Sequence, residues 1–341
     1  HRVPGIVHDA SNTGATLFIE PFSTVELCNT WREMALEEER EVSRILRDLS
    51  ALVSAMAEEI QRGAELTGEL DFILARARYG AALRCVATLP RRTAQPGGGA
   101  SSVPDMAVRL LNARHPLLGR AVVPINVNLG PGWSALVITG PNTGGKTVAM
   151  KTVGLLALMH QSGLHIPADE GSSLPVFDAV YADVGDQQSI ERSVSTFSSH
   201  MRNVIDILAE AGPASLVLLD ELGTSTDPEE GSALAKAILG HLAARGISTV
   251  ATTHHRTVAA YAQATPGMMN ASVQLEPSTL RPTYHLTMGI PGRSYALSVA
   301  SHMGLPEEIM ADAQSLLEPQ HMRFEDWLNE LQNERLQLQA R

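Results

Sequence analysis

Residues 140–147 read Gly-Pro-Asn-Thr-Gly-Gly-Lys-Thr and follow directly on the apolar run Leu136-Val137-Ile138-Thr139. Glycines at this spacing let successive backbone amides turn inward and cradle an anion. A lysine after them puts a point charge between neighbouring phosphates, and the hydroxyl beside it can reach a Mg²⁺ ion. The spacing is G-x-x-x-x-G-K-[ST], and its context is the one that gives the pattern meaning: a strand before it and a helix after it. That helix is apolar and alanine-rich over residues 148–159. Gly140, Pro141, Asn142, Thr143, Gly144, Gly145, Lys146 and Thr147 are therefore the candidate residues for holding the phosphates of a nucleotide, with Thr147 also a candidate metal ligand.

Three further segments carry groups that such a loop could use. Leu216-Val217-Leu218-Leu219-Asp220-Glu221 is an apolar strand ending in two acids. Alone it reads as a strand and an acidic turn. Downstream of a phosphate loop, Asp220 is the candidate for organising Mg²⁺ and its waters, and Glu221 for orienting or deprotonating an attacking water. Thr252-Thr253-His254-His255 closes the apolar run at 247–251. A histidine at such a strand end can donate to a γ-phosphate and sense its loss, so His254 is the candidate and His255 is expected to be a surface or packing residue. Ser195-Thr196-Phe197-Ser198-Ser199-His200 precedes a helical pattern with Met201, Val204, Ile205 and Leu208. Its hydroxyls suit a helix N-cap and equally an anion at a helix N-terminus.

The elements that must position these groups follow from periodicity. Short apolar runs at 136–139, 179–183, 216–219 and 248–252 alternate with helical patterns at 147–161, 198–211 and 229–244. That order predicts an α/β fold with a mostly parallel sheet covered on both faces. Runs at 269–276 and 282–288 follow as an expected antiparallel pair. Upstream, residues 3–20 read as short strands around a turn, and apolar residues at helical spacing over 23–61 and about 66–86 predict a long antiparallel helical pair. The block Glu37-Glu38-Glu39-Arg40-Glu41 is a solvated helix face. The stretch from Pro90 to Pro104, with Gly97-Gly98-Gly99 inside it, is a linker. The expected organisation is a helical segment at 1–90, a linker at 91–105, the α/β domain at 106–318, and the start of a helix or coiled coil at 319–341.

The chain has 341 residues, 44% of them hydrophobic and 18% charged, enough for a large core. Its formal net charge of −11 argues against a surface that binds nucleic acid throughout, because neutralising phosphates needs clustered Lys and Arg; a local basic patch stays open. Cys28 and Cys85 have no zinc spacing and fit a reducing compartment. No stretch approaches the ~18 uninterrupted apolar residues of a membrane span. The sequence reads as having no signal peptide, and the start at His1, in mid-pattern, suggests a piece of a longer protein.

These motifs resemble, in order, those of the MutS ATPases, a family of the ABC type. The resemblance rests on residues 140–147, Gly163-Leu164-His165-Ile166-Pro167-Ala168, Ser195-Thr196-Phe197, Leu218-Leu219-Asp220-Glu221, Thr252-Thr253-His254, and the upstream Ala113-Arg114-His115-Pro116. Lys146-Thr147-Val148, Ala182-Asp183-Val184-Gly185-Asp186-Gln187-Gln188-Ser189-Ile190 and Gly14-Ala15-Thr16-Leu17-Phe18-Ile19-Glu20-Pro21 are similar to the MutS-two branch. The resemblance implies an ABC-type ATPase domain using ATP/ADP and Mg²⁺, with Lys146, Glu221 and His254 catalytic. It implies a cytoplasmic homodimer in which Ser195 reaches the γ-phosphate held by the other subunit. The helical segment would belong to the core and lever that join the ATPase to a DNA-embracing clamp. The branch binds branched or recombination-intermediate DNA and suppresses homologous recombination; some members act on collided ribosomes. An Smr nuclease domain and much of the N-terminal part would lie outside this chain. A transporter-type ABC module would instead carry a Leu-Ser-Gly-Gly-Gln-like stretch where this chain has Ser195-Thr196-Phe197-Ser198-Ser199.

Overall fold

The computed structural model describes residues 3–88, 107–119, 122–130, 132–185, 196–224, 226–276, 279–292 and 295–316. Ser195, the linker expected at 91–105 and the tail at 319–341 lie outside the described residues. The chain divides into two compact units, 1–75 and 76–341.

The first unit opens with an antiparallel hairpin, β1 (Gly5–Ala10) and β2 (Leu17–Pro21), as the sequence suggests. Helix α1 (Phe22–Ser54) follows, then α2 (Ala57–Ala82), whose last residues belong to the second unit. The expected antiparallel pairing of these helices does not occur. At the junction Ala55 stays right-handed, and its amide and those of Met56 and Ile60 keep donating back to Ala51, Val53 and Met56. No residue from Phe22 to Ala82 outside glycine takes a positive φ, so the chain has no cap that would turn it back on itself. No residue of α1 is buried, and Trp31 and Leu49 stand exposed along it. The Glu37–Glu41 block is exposed, as expected.

The second unit carries β3 (Val108–Ala113) and β4 (Ile125–Leu129), an antiparallel pair that the sequence reading missed. Then come β5 (Trp133–Thr139), α3 (Lys146–Gln161), β6 (Ala179–Asp183), α4 (Thr196–Glu210), β7 (Ser215–Leu219), α5 (Pro228–Ala244), β8 (Ser248–Thr252), α6 (Arg256–Ala264), β9 (Gly267–Leu275), β10 (Pro282–Met288), α7 (Ala296–His302) and α8 (Glu307–Ser315). Six strands form one sheet in the order β10-β9-β5-β8-β7-β6. All neighbours are parallel except the β9–β10 pair.

Side chains alternate across a strand, so each strand serves two cores. Leu136 and Ile138 of β5, with Leu216 and Leu218 of β7, face Met150, Val153 and Leu156 of α3. Ala135, Val137, Val217 and Leu219 face the other way, onto Leu239 and Leu242 of α5, Val204 and Ile207 of α4, and Val258 of α6. Strands covered on both faces read as continuous apolar runs, which is why the sequence pattern was clear here. Met150, Val153 and Leu156 are fully buried, each contributing about 1.5–3 kcal/mol. They lock the helix that carries the phosphate loop onto the sheet. Among the described residues no helix is long and apolar enough to cross a membrane.

Candidate functional site

The carboxyl ends of β5, β6, β7 and β8 lie side by side in the sheet, the edge at which open parallel sheets collect ligands. At the end of β5 the chain passes through a single 3-10 turn, Asn142–Gly144, and Gly145 then sits at φ 91° before α3 begins. Position 145 requires glycine twice over. Its backbone is left-handed, and a Cβ there would stand 3.1 Å from Cδ1 of Tyr284. The α3 start leaves its first amides without helical partners.

Lys146 is only 2% exposed, and its Nζ donates to the Gly140 carbonyl at 2.8 Å and to Asn142 Oδ1 at 3.0 Å. Burial pushes its pKa down, and the nearby Glu221 and Asp220 carboxylates pull it back up. An ammonium folded across its own loop is held ready for an incoming anion that can replace those two neutral acceptors.

Asp220 extends the β7 run into the site, its amide donating to the Asp183 carbonyl at 2.9 Å. Its Oδ1 accepts from the Thr147 hydroxyl at 3.1 Å and from the Thr252 hydroxyl at 2.5 Å. The loop threonine and the first acid are thus brought together although 73 residues apart in sequence. One hydroxyl and one carboxylate, with no group of three His, Cys, Asp or Glu among the described residues, suit a hard ion that keeps its waters and takes other ligands from phosphate. Thr147 and Asp220 fit Mg²⁺ on those grounds.

Glu221 is exposed and takes a left-handed φ of 47°, a conformation that side-chain-bearing residues rarely adopt. Its amide donates to Thr252 Oγ1 at 2.8 Å, so Thr252 braces both acids at once. The Leu222 amide donates to the Thr252 carbonyl at 2.9 Å and the Thr253 amide to the Ile138 carbonyl at 3.1 Å, which knits the ends of β5, β7 and β8 into one surface.

His254 lines a cavity of about 430 Å³ with Thr139, Gly140, Pro141, Asn142 and Tyr295. Desolvation lowers its pKa, and His255 and Lys146 add to that against the opposing pull of Glu221. At neutral pH its imidazole is therefore neutral, with one N–H to donate. His255 behaves as expected of a packing residue: its Nε2 donates to the Gly223 carbonyl at 3.0 Å, with its ring 4.8 Å from that of His254.

Two groups escaped the sequence reading. A cavity of about 300 Å³ opens beside Gly145, lined by His115, Leu118, Val148, Thr152 and Tyr284. It is assembled from three separate stretches of chain, so no local pattern marks it. Asp183, at the end of an apolar strand, is buried with its carboxylate facing His200 and Asn203. The strand-end acid was the available signal.

Loop, acid pair and strand order define an ABC-type P-loop ATPase domain in an α/β fold. A family model described as MutS domain V matches residues 136–320, and the chain belongs to the MutS family. Among curated proteins it is 51% identical to the Endonuclease MutS2 of Pelotomaculum thermopropionicum over 99% of this chain and 42% of that protein. It is 52% identical to the Endonuclease MutS2 of Thermomicrobium roseum over 92% of this chain and 40% of the relative, and 49% identical to that of Caldanaerobacter subterraneus over 97% and 40%. The chain thus spans 40–42% of the length of these relatives.

Proposed function

We propose that this chain is the ATP-hydrolysing part of a MutS2-type protein. The observation that carries the reading is the Asp220 carboxylate shared by the hydroxyls of Thr147 and Thr252, with Lys146 across the loop and Glu221 next in line. In this reading the loop amides and Lys146 hold the β- and γ-phosphates, and Thr147 and Asp220 hold Mg²⁺, which neutralises charge on the phosphates when bound. Glu221 orients the attacking water and takes its proton, and His254 donates to the γ-phosphate. The cavity beside Gly145 takes the base, stacked on Tyr284.

The working unit we infer is a homodimer in which Ser195 of one copy completes the site of the other. The longer protein would use this cycle on branched or recombination-intermediate DNA and so restrain recombination. A charge of −11 argues against a surface of this chain that binds nucleic acid throughout. Crosslinking the full-length protein in cells and sequencing what it holds separates DNA from the ribosome as target.

The enzymatic reading is tested by measuring phosphate release with and without Mg²⁺. Glu221→Gln should keep nucleotide binding and slow hydrolysis by about 10²–10⁴-fold, the usual share of a general base. Lys146→Ala should weaken binding. Unchanged turnover in Lys146→Ala, or loss of binding in Glu221→Gln, overturns the assignment of that residue.

A further inference from the structure

Asp183 closes β6 and is tied in two directions. Its backbone carbonyl accepts from the Asp220 amide at 2.9 Å, and its side chain, 4% exposed as a residue, reaches α4. There Oδ2 accepts from His200 Nδ1 at 2.8 Å and Oδ1 from Asn203 Nδ2 at 3.1 Å. His200 and Asn203 are three positions apart and share one face of the helix. A buried carboxylate is costly unless its oxygens are bonded, so this arrangement tolerates little movement of α4 relative to the strand end.

What the clamp holds in place is the neighbour of the acid pair. Phe197, His200 and Met201 of α4 line a cavity of about 30 Å³ together with Asp220, Glu221 and Leu222. At ~10–15 Å³ per water, it has room for about two waters. Further along, Val204 and Ile207 already anchor α4 in the core. The polar bonds are thus added where the helix meets Glu221, not where the helix needs holding to the sheet.

We propose that Asp183, His200 and Asn203 form a positioning clamp that keeps the start of α4 against the Asp220–Glu221–Leu222 turn and so sets the Glu221 carboxylate for hydrolysis. The proposal rests on the ATPase reading above. None of the three is assigned to the nucleotide or the reacting atoms. They act through the turn, whose left-handed Glu221 has Thr252 on one side and α4 on the other.

The test compares the whole chain with its His200→Leu and His200→Asn variants in steady-state Mg-ATP hydrolysis and in binding of a fluorescent ATP analogue. Leucine fills the space and donates nothing, whereas asparagine keeps an N–H near the Nδ1 position. His200→Leu should lose kcat by 10-fold up to about 10²-fold, the scale of a small misplacement of a catalytic group, with KM and analogue binding unchanged. His200→Asn should recover most of that loss. If His200→Leu does not fold, Asn203→Ala breaks one bond only and carries the same readings. Wild-type kcat in His200→Leu, or in Asn203→Ala, overturns the clamp and leaves the ATPase reading intact. Equal losses in kcat and binding also overturn it, because they mark general disruption. A wild-type chain without Mg-ATP turnover overturns the ATPase reading and the clamp with it.

Discussion

Replacing Thr252 by Val changes one hydroxyl to a methyl at a fully buried position and leaves the shape of the side chain almost intact. Two hydrogen bonds go with that hydroxyl. The one to Asp220 Oδ1, at 2.5 Å, has a charged acceptor, a type that contributes about 1.5–3 kcal/mol. The other, from the Glu221 amide at 2.8 Å, leaves a donor that costs about 1–3 kcal/mol if nothing replaces it. Asp220 is partly open to solvent and keeps Thr147, so the lower half of the combined range applies, about 2.5–4 kcal/mol in all. For a domain of this size ~1 kcal/mol moves the melting temperature by about 2–4 °C, which places the expected drop at about 5–15 °C. Thermal unfolding followed by circular dichroism reads it directly, with Thr252→Ser as the control that keeps the hydroxyl. Mg-ADP should also protect the valine variant less than wild type, since Asp220 loses the bond that orients it. A Thr252→Val chain that melts within about 2 °C of wild type would show that Thr252 braces neither acid, and the reasoning about this site would fail.

Gly292 lies against the phosphate loop, its amide donating to Thr139 Oγ1 at 2.7 Å, and a Cβ there would stand 2.8 Å from the Gly140 nitrogen. Gly292→Ala should weaken nucleotide binding, as read by titrating a fluorescent ATP analogue, and lower the melting temperature, because the added Cβ meets backbone and not a movable side chain; unaltered affinity would show that the loop yields freely. His160 is buried at the end of α3, hydrogen bonded through Nδ1 to Thr88 at 2.7 Å, with no partner for Nε2 among the described residues. Burial lowers its pKa, so below the usual value of 6.5 the unfolded chain takes up a proton that the folded chain refuses, and stability falls with pH until the lowered folded value is passed. His115 and His254 shift the same way, so His160→Asn should reduce, not abolish, the acid slope of the urea midpoint; an unchanged slope refutes the assignment. If Ser195 works across a dimer, mixing Lys146→Ala with Ser195→Ala subunits should restore hydrolysis from one intact site per heterodimer. An inactive mixture with proven heterodimers refutes the shared site, and full activity of Ser195→Ala alone makes Ser195 a simple helix cap.

The phosphate loop was legible because every constraint on it is local. A left-handed glycine, a lysine and a hydroxyl must follow one another within a single strand–turn–helix, so consecutive letters carry the whole message. The acid pair was legible for the same reason, as was the parallel sheet, whose strands are buried on both faces and therefore spell unbroken apolar runs. The antiparallel helical pair was not, because apolar spacing says that a face wants covering and says nothing of what covers it. Without a residue able to reverse the chain at Ala55–Met56, α1 and α2 continue forward. Tertiary structure alone decided which strand ends meet. It set β5 between β8 and β9, brought Thr252 over Asp220 and Glu221, and joined Asp183 to His200 and Asn203. These contacts join residues of different elements, and the order and register in which strands pack set their distances. The bond-forming residues were present in the sequence, but their partners became definite only when the sheet closed its two cores.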